Sequence, residues 1–533
     1  MNTKRLIKKY VKEICGELWP DIAKEEPEVN YPPEGKGDYA VNAAMKIAGK
    51  NKQNPLEIAE KIKSAIEEKE DINKIFEKIE IARPGFLNFY LKSDFLNNLI
   101  EKINKRGDEF GSNQVIESKN ILVEFVSANP TGPVHLGNSR GGPFGDVLAG
   151  VLNKYGHQAR REYYVNDYGN QIKILGHSIL KDKEAQYRGD YIEKLSKENK
   201  ETEPFLAGQA GARKIMEEII KPSMQKLRIN FDTYYSEEYL HQSGKVEAVL
   251  EEMKKSGLAY EKDKAWWFKA SEFGDEKDRV LKKSTGEMTY FGADIAYHLD
   301  KFERGFNLAI NVWGADHHGD VPRMQGVMKA LGFEGRLQVL LTQFVKVLKD
   351  GKELKMSKRK GTYITIDDLM EEAGVDAVRF FFLMYSANTH MNFDLDLAKE
   401  QSQKNPVYYV QYAYSRVCSI LKNSKKESFE VERTREEIIS KEGLKEKQEL
   451  DLLKHLNKFP ELVEEVACSY EVHRVPYYAM ELADKFHSFY HQCKVLDKDD
   501  PEKSLARLEL VSAVKIVLKE TLDLLGVEAP EKM

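Results

Sequence analysis

Residues able to do chemistry gather in three stretches of the chain. In the first, Glu124 interrupts the apolar run from Ile121 to Val126, whose β-branched and aromatic residues suit a buried strand, and Asn129, Pro130, Thr131, Gly132 and Pro133 break the run. A carboxylate buried without a partner costs several kcal/mol, so Glu124 requires a cation from the protein or from a ligand. No internal partner is evident in the sequence. Past the prolines, His135-Leu136-Gly137-Asn138 leads into a helix whose residues Val147, Leu148, Val151, Leu152 and Tyr155 share one face, with Gly156 as its C′ stop. The start of such a helix presents free N–H groups and the positive end of the dipole. With His135 and Asn138 as further donors it suits a phosphate. It is not a Walker A loop, because Pro143 follows Gly142 where that loop needs lysine, and its glycines do not fit the dinucleotide fingerprint.

The second stretch is Lys355-Met356-Ser357-Lys358-Arg359-Lys360, four cations within six residues between Gly351 and Gly361. Alone, a charge run of this kind usually faces water. The third is a strand, Asn307 to Val312, running into Trp313-Gly314-Ala315-Asp316-His317-His318-Gly319-Asp320 and then a helix through Val327 and Leu331. Gly314 would let a ligand approach the backbone, and Asp316 could accept from a ribose hydroxyl. His298, Asp316, His317, His318 and Asp320 also invite a metal reading. Adjacent histidines point in different directions and no thiolate helps, so no tightly bound protein metal is expected, and Mg2+ arriving with a phosphate ligand is favoured over zinc.

The pair PTGPVHLGN and KMSKR, in this order and far apart, resembles the HIGH and KMSKS elements of class I aminoacyl-tRNA synthetases. The chain most resembles arginyl-tRNA synthetases, through EFVSANPTGPVHLGN, REYYVNDYGNQI from Arg161, TYFGADIAYHLDKF from Thr289 and the closing DLLGVEAPEKM. It departs from the signatures in ending them on Asn138 and Arg359. The resemblance implies ATP-dependent activation of L-arginine with release of pyrophosphate, then transfer to the 3′ end of tRNA(Arg), with tRNA required even for the first step. It implies that His135 and Asn138 hold the phosphates while Lys355 and Lys358 close over the leaving group, and that Gly137, Gly314, Asp316, Met356 and Ser357 line the ATP site. It implies that Glu124, Asn129, Tyr290, Asp294 and His317 contact arginine, Glu124 at the α-amino end and Tyr290 with Asp294 at the guanidinium. That division agrees with chemistry: a planar, permanently charged guanidinium is best read by forked hydrogen bonds to carboxylates. Two rivals stand beside this reading, an RNA-binding relative without the chemistry and a class I enzyme for another amino acid.

The elements that must position these residues form an α/β protein. At 533 residues with 41% hydrophobic content the chain is long enough for several folded domains. Residues 1–115 read as an α+β domain with a helix from Leu56 to Ile66 and a strand from Phe86 to Leu91 entered through Pro84-Gly85. By resemblance this domain holds the tRNA elbow, where Phe86, Asn88 and Phe89 could stack on or bond to an unpaired base, although strand alternation sends at least one aromatic into the core. Residues 116–385 read as a doubly wound, Rossmann-like parallel sheet with an insertion at about 165–285, and its ligands belong at the carboxyl ends of the strands. Thr365 with Asp368 reads as a helix cap, closed at Gly374. Residues 386–533 read as an α-helical bundle, by resemblance the anticodon-binding domain. Its helix from Pro406 carries Tyr408, Tyr409, Tyr412, Tyr414 and Arg416; such a stripe is more often core than surface, yet Tyr408, Tyr412 and Arg416 would suit base stacking. The last helix, Leu505 to Leu525, ends at Gly526, and His487 and His491 read as structural. The net charge of -5 advertises no nucleic acid, so RNA contact must be local. Cys15, Cys418, Cys468 and Cys493 form no C-x-x-C pattern, which suits a reducing, cytoplasmic setting. No membrane segment is found, and a monomer is expected.

Overall fold

The computed structural model describes residues 2–20, 26–354, 364–425 and 443–533. Lys355, Met356, Ser357 and Lys358 lie outside the described residues.

Strands are numbered in chain order. An antiparallel sheet opens the chain, with β1 (Val29–Asn30), β2 (Tyr39–Val41), β3 (Phe76–Ala82) and β4 (Phe86–Leu91) in the order β1-β2-β4-β3. The expected helix runs over Pro55–Glu67, started by Asn54, whose side chain accepts from the Leu56 N–H, and by Pro55 at its first position. Its buried residues Ile58, Ala59, Ile62 and Ile66 have the helical spacing that seats it on the sheet.

The centre is a parallel sheet. Its strands are β5 (Asn120–Glu124), β6 (Gln158–Val165) and β7 (Thr233–Ser236), then, after a small antiparallel sheet of β8 (Ala259–Lys262), β9 (Ala265–Phe268) and β10 (Arg279–Lys282), β11 (Leu308–Gly314) and β12 (Leu337–Thr342). The order across it is β12-β11-β5-β6-β7, all neighbours parallel. The chain runs outward from β5 to one side and returns to its other side, so the switch point falls at the carboxyl ends of β5 and β11, where such sheets bind ligands. The stretch at 165–285, expected as an insertion, contains the edge strand β7, whose register Glu162↔Thr233 places it beside β6. β5 is shorter than the run from Ile121 to Val126 suggests. Val126 (φ 67) and Ser127 (φ 39) take left-handed backbone, which is strained for a β-branched residue and turns the chain out of the sheet before the apolar run is over.

A third small sheet, with β13 (Val345–Lys349), β14 (Lys352–Glu353) and β15 (Met391–Asp394), follows. The capping box at Thr365 forms as expected: Asp368 N–H donates to the Thr365 hydroxyl and Thr365 N–H to the Asp368 carboxylate. Helices Pro406–Ser424, Lys447–Asn457, Phe459–Ser469, Arg474–Gln492 and Pro501–Leu525 make the terminal bundle. Among the described residues no helix is long and apolar enough to cross a membrane. The first domain is fastened to this bundle around one buried carboxylate, Glu461, which accepts from the Tyr39 hydroxyl (2.9 Å), the Tyr31 hydroxyl (2.5 Å) and the Lys4 N–H (3.0 Å).

Candidate active site

At the end of β5, Glu124 is 5% exposed and its carboxylate is not alone. Lys301 Nζ donates to it at 2.5 Å and the Ser127 hydroxyl at 3.1 Å; the left-handed turn at Val126 and Ser127 brings that hydroxyl back over the strand end. Glu124 therefore has an internal partner, contrary to what the sequence suggests. The pairing spans the whole β5 to β11 segment and has no local pattern. Burial works to raise the Glu124 pKa, but the Lys301 charge overrides it and holds the carboxyl below its ordinary value.

Lys301 comes from the helix Tyr290–Glu303, started by the Thr289 hydroxyl, which accepts from Gly292 N–H at 3.2 Å. This helix and the arginine that ends it lay a polar row under the strand ends. Lys301 also donates to Asn311 of β11 (2.9 Å), the Asn311 amide reaches His298 Nε2 (2.8 Å), and His298 Nδ1 reaches the Asp294 carbonyl (2.7 Å). Burial and then the Lys301 charge push the His298 pKa down to about 3, so its ring stays neutral and can accept at Nε2 while donating at Nδ1. Arg304 holds Glu162, the register partner of Glu124, through bonds of 2.6 and 2.9 Å, and the Tyr297 hydroxyl adds a third at 2.8 Å.

One turn from the start of the same helix, Asp294 is an exposed residue. Hydration lost on its protein-facing side, then the carboxylates of Glu237, Glu124 and Asp320, raise its pKa to about 8. Glu237 begins the helix Glu237–Gln242 after β7 and is 3% exposed; the Asn166 amide, oriented to donate, reaches it at 2.7 Å and His241 Nε2 lies 3.7 Å away. Among the described residues no lysine or arginine forms an ion pair with Asp294 or Glu237. Tyr290 is 56% exposed and its ring lies against the Gly169 backbone. Tyr164 packs on Tyr297 with ring centroids 4.3 Å apart, and burial followed by Glu237, Asp294 and Glu124 keeps its hydroxyl protonated. The arrangement is a pocket of carboxylates and phenols short of one cation. Glu237 and Tyr164 escaped the sequence reading. Tyr164 lies inside REYYVNDYGNQI, a stretch already singled out, whereas Glu237 lies in the part read as an insertion.

The phosphate side is built from the other two stretches. His135 caps the short helix Leu136–Ser139, which continues through Arg140 into Gly141–Tyr155, closed by Gly156 as expected. Leu136 N–H donates to the Ile364 carbonyl (3.1 Å) and Ile366 N–H to the Val134 carbonyl (3.0 Å), while His135 and Thr365 form a β-bridge. The helix start thus pairs backbone to backbone with the chain that leaves the lysine-rich stretch. Arg140, 2% exposed, reinforces the joint by donating to the carbonyls of Thr389 (2.7 Å), Ser386 (2.8 Å), Gln343 (3.1 Å) and Tyr385 (3.3 Å), and burial lowers its pKa to about 10. His135 and Asn138 are exposed, partial burial lowers the His135 pKa, and Gly137 has open space before it. Asn129 is exposed on the loop after β5.

Beyond β11, Asp316 and His317 are exposed, with His317 3.4 Å from Asp320, 3.6 Å from Asp316, and its ring 6.0 Å from that of Trp313. Gly314 has ordinary extended backbone, and the space a side chain would fill there is taken by the Asp316 carboxylate. The glycine makes room for Asp316.

Of the remote candidates, Phe86 is half-buried, but Asn88 (6% exposed) and Phe89 (0%) lie inside. Asn88 belongs to an inner strand, paired with Ala40 and Glu80, and its 6% exposure leaves it no surface for a base, contrary to the expectation. Tyr408, Tyr412 and Arg416 are half-buried: Tyr412 stacks on His487 (5.9 Å), Arg416 lies over Tyr490 (4.7 Å), and the neighbouring Tyr409 hydroxyl donates to Asp484 (2.6 Å). The stripe is first of all packing against the helix Arg474–Gln492.

Comparison with known proteins agrees with this geometry. Three family models match: the arginyl tRNA synthetase N terminal domain over residues 2–91, the class I (R) tRNA synthetase catalytic domain over 99–202 and 182–390, and the DALR anticodon binding domain over 410–533. Arginine–tRNA ligase 1 of Halalkalibacterium halodurans is 43% identical over 97% of this chain and 95% of its own length. The arginine–tRNA ligase of Bacillus subtilis is 43% identical over 96% and 95%. The arginyl-tRNA synthetase structure from Thermus thermophilus covers all of both chains with a TM-score of 0.79 at 20% identity, a likeness of fold.

Proposed function

We infer that this chain, which belongs to the arginyl-tRNA synthetase family of class I, joins L-arginine to tRNA in two steps at the carboxyl edge of its parallel sheet. The arginine carboxylate attacks the α-phosphate of ATP, pyrophosphate leaves, and a terminal hydroxyl of the tRNA then attacks the carbonyl of the arginyl-adenylate. No protein nucleophile is needed. The protein's contribution is placement and stabilisation of negative charge.

In our assignment Glu124 and Asn129 receive the α-amino end of arginine, and Asp294, Tyr290 and Glu237 fork around the guanidinium, with the Tyr164 hydroxyl oxygen accepting from the same group. Supporting this are the missing cation between Asp294 and Glu237 and the raised Asp294 pKa, since a guanidinium would relieve both. His317 borders the same cleft. His135 and Asn138 hold phosphate from the helix start, Gly137 leaves room for it, and Lys355 with Lys358 neutralise the leaving pyrophosphate, with Met356 and Ser357 in the same stretch. Asp316 accepts from the ribose. Mg2+ comes with ATP as part of the substrate. Phe86 in the first domain and Tyr408, Tyr412 and Arg416 in the bundle meet the tRNA, the tyrosines through their open edges. We assign the domains to 1–115, 116–385 and 386–533, and expect a monomer working in the cytoplasm.

The observation that carries the reading is the backbone pairing of Val134 and Leu136 with Ile364 and Ile366, which sets the first signature against residues that follow the second one in sequence. The test is amino-acid-dependent exchange of labelled pyrophosphate into ATP, screened over twenty amino acids with and without total tRNA. Exchange with arginine, dependent on tRNA, is expected; exchange with another amino acid would overturn the pocket assignment, and none at all would overturn the reaction.

A further inference from the structure

We propose that Lys301 is a positioning residue of the arginine pocket: its ammonium aims Glu124 at the substrate's α-ammonium and, through Asn311 and His298, ties that carboxylate to the backbone that carries Asp294. This rests on the reading that Glu124 meets the α-amino end of arginine.

Lys301 is 0% exposed, and its ammonium is fully used, by Glu124 at 2.5 Å, by Asn311 Oδ1 at 2.9 Å and by the Tyr297 ring at 4.2 Å. Such a buried pair is no source of stability over well-packed apolar side chains of the same size. What it does is fix one carboxylate in charge and direction. The groups facing Glu124 from the surrounding elements are Lys301, His298, Tyr297 and Asp294 of the helix Tyr290–Glu303, Asn311 of β11, Ser127 of its own loop, and Tyr164 and Glu162 of β6. Among the described residues Lys301 is the positive charge that serves Glu124, because His298 is neutral and Arg304 is committed to Glu162.

The bonds from Lys301 do not end at Glu124. Asn311 passes them to His298, and His298 to the Asp294 carbonyl, so the carboxylate that meets one end of arginine and the residue that meets the other stand on one network. Asp294 and Lys301 lie two turns apart on one helix, about 10 Å along its axis. That is a span suited to an extended arginine gripped at both ends, and the network keeps it constant.

The test compares Lys301→Met, Lys301→Arg and Glu124→Gln in aminoacylation, measuring KM for arginine and for ATP from about pH 6.5 to 8.5. In Lys301→Met the arginine KM should rise on the order of a hundredfold at neutral pH, because Glu124 left without its cation takes up a proton. Taken as the ratio to the parent protein at each pH, which removes the titration of Asp294, that rise should shrink as pH rises and Glu124 ionises, while the ATP KM stays within twofold. Lys301→Arg should restore most of the affinity and follow the pH profile of the parent. An unchanged arginine KM in Lys301→Met, or equal losses for arginine and ATP whose ratio to the parent does not change with pH, would overturn the proposal. If Glu124→Gln also leaves the arginine KM unchanged, the α-amino assignment itself has failed; if Glu124→Gln raises it and Lys301→Met does not, only the positioning role has. Should Lys301→Met not fold, Asn311→Ala carries the test, with a severalfold rise in arginine KM and none in ATP KM expected, and equal changes in both overturning it.

Discussion

Asp294 lets the charge logic of the pocket be tested by titration. With its pKa raised to about 8, the carboxyl is protonated in the empty site over much of the neutral range. A guanidinium binds the ionised form, so below that pH a proton must leave as arginine enters. The sign follows directly: apparent affinity for arginine rises with pH, by up to about tenfold per unit, and flattens once the free carboxyl is ionised. At pH 7 only about a tenth of the empty sites carry the charge. Between about pH 6 and 8.5 the expected gain is roughly ten- to a hundredfold, the lower figure because cleft water screens a carboxylate open on one side. The assay is calorimetric titration with arginine in two buffers of different ionisation heat, which counts the protons released. Asp294→Asn is the control, since the α-amino group of arginine titrates alike in both proteins. The variant should lose about 1.5–3 kcal/mol of binding at the plateau, the worth of a bond to a charged group, together with the pH slope. A flat profile with no proton release in the parent protein, or the same slope in Asp294→Asn, would refute the reasoning.

Three other outcomes follow from the same contacts. Arg140→Met strips the donors from four carbonyls; at about 1–3 kcal/mol for each acceptor left dry, with some finding other partners, a loss of roughly 3–5 kcal/mol in denaturant unfolding is expected, and under 1 kcal/mol would mean the joint is held elsewhere. Gly526→Ala introduces a side chain at φ 64 and into the Arg379 guanidinium, which bonds the Leu525 carbonyl (2.8 Å); about 1–3 kcal/mol and a lower Tm are expected, with an unchanged Tm counting against it. His135→Ala should slow pyrophosphate exchange on the order of a hundredfold, about 3 kcal/mol in the transition state, with arginine KM little changed; a change confined to arginine KM would put His135 in the wrong pocket.

What the sequence makes legible is what local pattern encodes. The strand Phe86–Leu91, the capping box at Thr365 and the stops at Gly156, Gly374 and Gly526 all follow from residues within a turn or two of each other. Two kinds of feature stay hidden. One is the partner across the sheet: Glu124 looks orphaned because Lys301 and Asn311 lie far along the chain, and only the β5–β11 pairing brings them together. The other is strain. An Ile-Leu-Val-Glu-Phe-Val run reads as strand to its end, and nothing in residue type announces that Val126 and Ser127 turn left-handed. Tertiary packing also decides between readings that pattern leaves open, as with Asn88, polar yet covered, and Tyr412, set against His487.

The distribution of charge explains why the pocket should prefer arginine to its neutral isostere. Four carboxylates cluster at the strand ends, and the protein compensates two from within: Arg304 takes Glu162 and Lys301 takes Glu124. Among the described residues Asp294 and Glu237 receive no such lysine or arginine. Once Asp294 is ionised, the site therefore disfavours anything that cannot bring its own cation. Citrulline has nearly the shape of arginine but would leave both carboxylates unpaired, and sites built on buried polar groups reject such analogues by up to about 10⁴. Lysine brings charge but as a compact point that cannot fork between two acids. The raised Asp294 pKa adds a direction to this. A protonated Asp294 can donate to the citrulline carbonyl, whereas an ionised one repels it, so the arginine-to-citrulline ratio of kcat/KM should widen as pH rises from about 6 to 8. A ratio that narrows with pH would mean that Asp294 does not face the guanidinium, whatever its environment does to its proton.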